Sequence, residues 1–186
     1  MPVSQITEVF NERLGARYGV RLKGGGAEPF YQAPKAPECA LIVFRADYSA
    51  SALHEVAHWC LAGPQRRQFD DYGYWYLPAR NAAQQAAFEA VEARPQALEA
   101  LFAEAAGVDF QVSSDDVASL PSPAFKARVA AERRLIEQQL PVRARCFLAA
   151  LKGANALIAR TASVTASVTA SGTVSQSVAG SRTVNA

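Results

Sequence analysis

The chain holds two histidines, and both lie in one short stretch, "LHEVAHWC" at residues 53–60, as His54 and His58 with Glu55 between them. Residues four apart on a helix project from one face, one turn from each other. Two imidazoles so placed can each turn a ring nitrogen onto a single cation, at about 2.0–2.1 Å for zinc. A carboxylate beside the first histidine reaches a metal-bound water rather than the metal, which puts Glu55 where a catalytic base belongs. The same string also arises in helices that simply bury two histidines. Here every imidazole of the chain is spent on one turn, which favours the metal reading.

Two histidines make an incomplete site. The segment "FEAVEARPQALE", residues 88–99, offers Glu89, Glu92 and Glu99 as a third ligand. Glutamates close to the apolar side of a helix are costly to bury unless paired or coordinated. Glu92 is preferred because Gln96 follows four residues later and could hydrogen-bond a ligand. Glu89 is the alternate, and Glu99 fits an ordinary solvated position. Two histidines and one carboxylate leave coordination positions open, as catalytic sites do. With Zn(II) this is the arrangement of a metallopeptidase, Glu55 deprotonating a zinc-bound water. With Fe(II) it is one face of a non-haem oxygenase, with room for O2 and a co-substrate. Ligand types alone leave both chemistries open.

The elements that must position these groups are legible in outline. Val3, Ile6, Phe10 and Leu14 recur at helical spacing, predicting an opening helix that ends near Gly15 or Gly19. "GVRLKGGGAEPF" (19–30) reads as a short strand breaking at its glycines, and "CALIVFRA" (39–46) as a buried strand. From Ser49 onward Leu53, Val56, Ala57 and Leu61 share a helical face, with a Gly-Pro stop at 63–64. "FDDYGYWYLPARN" (69–81) reads as a hairpin or loop. A second helix, from about Ala82 to Ala105, contains Pro95, which predicts a kink or two abutting helices. "SSDD" (113–116) is a loop, and further helices are expected around Phe125, Val129, Leu135 and Ile136 and again after Pro141.

The expected fold class is α+β, a mostly helical single domain with a small β-sheet or hairpin. In it the HExxH-bearing helix packs against a second, Glu-bearing helix with zincin-like site geometry. The domain is expected to span 1–153. Residues 154–186, a low-complexity Ser/Thr/Ala/Val tail, are expected to be disordered, because such a run buries little surface to offset its ordering entropy.

Composition narrows the partners. At 186 residues and a net charge of +2, the chain has only the short basic runs "PQRRQ" and "AERRL", so direct nucleic-acid binding is not expected. Three widely spaced cysteines argue against a disulfide framework or a cysteine zinc site. The opening segment does not read as a signal peptide. No apolar run approaches the ~20 residues that span a bilayer, so no membrane role is expected and the chain reads as soluble and cytoplasmic.

The stretch from 48 to 102 carries more. "YSASALHEVAHWCLAG", then "DYGYWYLPARN", then "FEAVEARPQALEALF" resembles the elongation factor P hydroxylase family, a group of bacterial modification enzymes. With the 39–46 region the similarity covers roughly residues 5–150. The resemblance implies hydroxylation of a lysine side chain on the translation factor, one that has first received a β-lysyl group. It also implies a metal at the histidine motif completed by a downstream glutamate, which maps onto His54, His58 and either Glu92 or Glu89. It shifts the reading from peptidase towards oxygenase, hence towards Fe(II) with O2 as co-substrate. A lysine-derived chain has apolar methylenes and cationic amines, for which Tyr72, Tyr74 and Trp75 could form an aromatic rim and Asp71 a carboxylate.

Overall fold

The computed structural model describes residues 1–73, 81–114 and 120–172. Helix α1 (Val3–Phe10) buries Ile6 and Phe10, and the chain runs on through a π-helical turn (Asn11–Gly15) that buries Leu14. A last turn, α2 (Ala16–Tyr18), is closed by Gly19 in the left-handed conformation, φ 61°, where a residue without Cβ carries no steric penalty. The opening helix therefore ends where its apolar spacing predicted, with one turn widened to the π form.

Strand β1 (Val20–Gly26) pairs in parallel with β3 (Ala40–Arg45), and β2 (Phe30–Gln32) pairs antiparallel on the other side, giving the order β1-β3-β2. β1 continues into its glycines rather than breaking at them. A Cβ on Gly24 would stand 2.6 Å from the Phe44 ring, so the missing side chain lets that ring cover the strand. In β3 Ala40, Ile42 and Phe44 are buried while Leu41 and Val43 are half-buried, so the strand packs chiefly through one face. Side chains hold the outer margins of the sheet. The Asn11 carboxamide accepts from Leu22 N at 2.8 Å and donates to Leu22 O at 3.0 Å. On the far side Tyr31 N donates to Asp71 and Ala33 N to Asp70, both at 2.8 Å.

Helix α3 (Ser49–Leu61) packs against β3, α1 and the long helix α4 (Ala82–Ala106). α4 opens on a reciprocal cap: Asn81 accepts from Gln84 N and the Gln84 side chain accepts from Asn81 N, both at 2.9 Å. It runs unbroken through Pro95, which corrects the expectation of two abutting helices. Ala93, Gln96, Ala97 and Leu98 around the proline are all buried, and that packing offsets the hydrogen bond that proline cannot make.

Helix α5 (Pro123–Gln138) starts at Ser122, whose hydroxyl accepts from Phe125 N at 3.0 Å, with Pro123 in the first turn. Helix α6 (Val142–Gly172) crosses the boundary expected at 153, so the low-complexity run is helical as far as 172. Residues 173–186 lie outside the described residues.

Phe10 meets Trp59 and Phe147 edge-on, ring centroids 5.5 Å apart in each pair, and Phe102 meets Phe147 at 5.0 Å. These contacts tie α1, α3, α4 and α6 into one core, each pair contributing about 0.5–1.5 kcal/mol beyond its buried area. The domain is thus mostly helical with one small sheet, as expected. Within the stretch read as a hairpin or loop, residues 70–73 form a tight turn with left-handed backbone at Asp71 and Tyr72, and 74–80 lie outside the described residues. No helix among the described residues is long and apolar enough to cross a membrane.

Candidate metal centre

The helix that carries the histidines is clamped at its C-terminal end. Arg143, from α6, donates to the carbonyls of Cys60 at 3.0 Å and Ala62 at 2.6 Å. Its guanidinium lies 4.6 Å from the Trp59 ring centroid, and Arg67 also donates to Ala62 O. Two cations on the last carbonyls of α3 satisfy groups that have no helical partner and complement the helix dipole.

On the face of α3 turned to α4, Nε2 of His54 and Nε2 of His58 are 3.0 Å apart. Glu92 of α4 lies 3.4 Å from each, through Oε2 to His54 and Oε1 to His58. Nδ1 of His54 is 2.8 Å from Oε2 of Glu99, two turns along α4. This pairing order, 58 with 92 and 54 with both 92 and 99, is that of helices running in opposite directions.

The three groups fit a divalent cation. With its proton on Nδ1 and donated to Glu99, neutral His54 carries a lone pair on Nε2 aimed at the other ring. Two lone pairs at that separation repel, so a proton or a cation must lie between them. Three ligand atoms at about 2.0–2.1 Å from a metal stand about 2.9–3.4 Å from one another as the angles go from octahedral to tetrahedral. His54, His58 and Glu92 each offer one ligand atom, all within 4.8 Å of one another, close enough for one ion to draw together. Glu92 is 4 % exposed and Glu99 7 %, an expensive burial for carboxylates that are neither paired nor coordinated.

Without a cation the cluster holds a proton. Burial opposes charge on His54, but hydrogen bonds to Glu92 and Glu99 outweigh it and set its pKa well above the ordinary value. Burial likewise pushes Glu92 up, yet the His58 charge and hydrogen bonds from both rings hold it well below the usual carboxylate range. Glu55 goes the other way. Burial raises its pKa; the two histidines pull it down, while Glu92 and Asp71 push it up. Among the described residues no group hydrogen-bonds to Glu55.

Beside the cluster opens a cleft of about 620 Å³ whose lining includes His58, Gly63, Arg66, Tyr72, Val91, Arg94 and Pro95. Tyr72 stacks on Tyr31 with ring centroids 4.2 Å apart. Both Asp71 (φ 47°) and Tyr72 (φ 59°) have left-handed backbone, which costs roughly 1–2 kcal/mol per residue. The Tyr31 stack and the bond from Tyr31 N to Asp71 hold that turn in place.

Several expected site residues lie elsewhere. Glu89 accepts from Gln85 at 3.4 Å and from the Ser122 hydroxyl at 3.5 Å, towards α5 and not at the cluster. The Gln96 amide exchanges two bonds with the Ser113 backbone, at 2.7 and 3.0 Å, so it does not support a ligand; its side chain braces the loop after α4. Asp71 is occupied with Tyr31 N. Tyr74 and Trp75 lie outside the described residues. Glu99, read as solvated, is the partner of His54. Its seven-residue spacing from Glu92 puts both on one helix face and was the available signal. Arg143 had none, because its contacts reach 81 to 83 residues back along the chain.

Fold and site together define a helical domain with a two-histidine, one-carboxylate cluster able to hold a divalent cation. The chain belongs to the elongation factor P hydroxylase family, whose model matches residues 9–162, as the motif resemblance implied. It is 40 % identical over 155 residues to the elongation factor P lysine hydroxylase of Haemophilus influenzae, a match covering 80 % of this chain and 86 % of that protein. The family match extends past 153 into α6.

Proposed function

We propose that this chain is a metal-dependent hydroxylase of the (β-lysyl)lysine side chain of elongation factor P, working in the cytoplasm. The observation that carries the reading is the convergence of His54, His58 and Glu92, each with a ligand atom within 4.8 Å of the others, in a member of a hydroxylase family. His54, His58 and Glu92 would hold Fe(II), which supplies activation of O2. Placing one oxygen atom in a C–H bond while the other leaves as water takes two electrons and two protons from a donor.

The protein's own residues do the rest. Glu99 holds the His54 tautomer that leaves Nε2 for the metal. Arg143 and Arg67 fix the end of the histidine helix. Glu55, desolvated and without a hydrogen-bond partner among the described residues, can hold or pass a proton at its carboxyl oxygen. The cleft admits the lysine-derived chain past Tyr72 to His58.

The deciding experiment is intact-mass analysis of β-lysylated elongation factor P incubated with the iron-loaded protein in air. A gain of one oxygen mass that disappears with His54→Ala supports the reading; no gain, or an equal gain with the variant, overturns it. In the zinc-peptidase alternative Glu55→Gln abolishes all turnover and the product is a cleaved chain rather than a heavier one.

A further inference from the structure

The sheet buries one face and leaves the other open. Leu22, Tyr31, Ile42 and Phe44 point into the core, and side chains alternate across a strand, so their neighbours point outward. Strand register sets Lys23 beside Val43 and Phe30 in one row, and Arg21 beside Leu41 and Gln32 in the next. Arg45 ends the middle strand on the same side. Arg21, Lys23, Arg45 and Phe30 are exposed, while Leu41 and Val43 are half-buried. None of these strand positions is acidic, and Arg21, Lys23 and Arg45 form no ion pair among the described residues.

The open face is therefore an aliphatic strip bordered by positive charge. An apolar centre with a polar rim is the anatomy of a protein interface. Single-stranded nucleic acid is held by successive aromatic platforms, and Phe30 is the one aromatic residue on these strand positions. A second copy of the same face would set like charges against each other, which is costly. The charge is complementary to carboxylates. β2 also joins this face to the cleft: Phe30 lies on the open side, while Tyr31 beside it stacks on Tyr72 of the cleft wall.

We propose that the open face of the sheet is a docking surface for an acidic patch on the substrate protein, held there while the target side chain occupies the cleft. The identity of that partner rests on the hydroxylase reading. Three short strands give a small contact, as suits an encounter that must release its product.

The test measures binding of fluorescently labelled, β-lysylated elongation factor P to the zinc-loaded full chain by anisotropy. Reversing two charges with Arg21→Glu and Lys23→Glu together should weaken binding roughly five- to twentyfold at low salt. At about 1 M salt, where the screening length is about 3 Å, the difference should shrink. Lys126→Glu with Arg128→Glu, an equal reversal at exposed positions of α5, should bind as the wild type does. In the iron-loaded enzyme the β1 reversal should raise KM by the same factor and leave kcat unchanged. Unaltered binding in the β1 variant, an equal loss in the α5 variant, or a fall in kcat alone overturns the proposal. So does tighter binding of a single-stranded RNA than of the factor, abolished by the β1 reversal. Should that variant fail to fold by circular dichroism, Arg21→Gln with Lys23→Gln carries the same comparison. Charge-dependent binding without any oxygen gain would sink the hydroxylase reading and leave the docking face standing; oxygen gain with binding indifferent to the β1 charges would do the reverse.

Discussion

Glu99 stands 2.8 Å from Nδ1 of His54, the ring nitrogen that does not face His58. A carboxylate there fixes which nitrogen carries the proton, orients the ring and raises its basicity as a ligand. The histidine motif is therefore read correctly only together with a residue 45 positions away.

Removing that carboxylate should weaken the site without emptying it. Glu99→Ala is expected to lower zinc affinity about 10- to 100-fold, and Glu99→Gln, which keeps an acceptor oxygen, to lose less. Competition against a chromophoric chelator measures both, with circular dichroism as the check on fold. Wild-type affinity in Glu99→Ala would show that the contact is incidental.

Glu92 and Glu89 give opposite expectations. Glu92→Ala should abolish stoichiometric metal retention after dialysis, as should His58→Ala. Glu89→Ala, directed at Ser122, should retain the wild-type metal content. Elemental analysis of the purified variants decides, and loss of metal in Glu89→Ala would move the third ligand.

The metal-free protein should lose stability as the pH rises. The folded pKa of His54 lies above its ordinary 6.5, so its contribution is complete below that pH and is lost as the pH climbs through the folded value. Glu55, raised by burial, acts in the same direction. Glu92, depressed from 4.5, contributes above that pH and loses its contribution on acidification. A divalent cation takes the place of the His54 proton, so its binding should release protons and reverse the alkaline loss. Urea midpoints across pH, with calorimetric metal titrations in buffers of different ionisation enthalpy, test both halves. A metal-free midpoint that does not move from pH 6.5 upward would contradict the arrangement.

Arg143→Ala should cost about 2 kcal/mol of stability, since it strips two helix-end carbonyls of a charged donor and leaves the Trp59 ring uncovered. Arg143→Lys should recover less than half, because a point ammonium cannot bridge both carbonyls and also stack. Urea denaturation reads the difference. Equal stability of the lysine variant and the wild type would place the effect in charge alone.

The sequence made the histidine turn legible because the geometry of residues four apart on a helix needs no tertiary information. The strand at 39–46 and the helix starts at Ser49 and Ala82 were legible for the same local reason. What depended on packing was not. Glu92 sits at the cluster, yet the cue used for it, Gln96, serves the Ser113 backbone. Pro95 reads as a helix break until neighbouring elements are seen to hold α4 together. The Asp71–Tyr72 turn takes its left-handed backbone from a contact with β2, some forty residues earlier, which no local pattern announces.

The side chains along the sheet margins bear on how this protein behaves in a crowd. A bare strand edge is a template on which another chain can zip, and folded proteins must blunt it to stay dispersed. Here Asn11 acts as a surrogate peptide unit at Leu22, while two aspartates take the outward amides of Tyr31 and Ala33. The turn that presents Tyr72 to the cleft is thus also the guard on the sheet. Mutations that loosen it would cost the cell not only a reaction but a well-behaved solute.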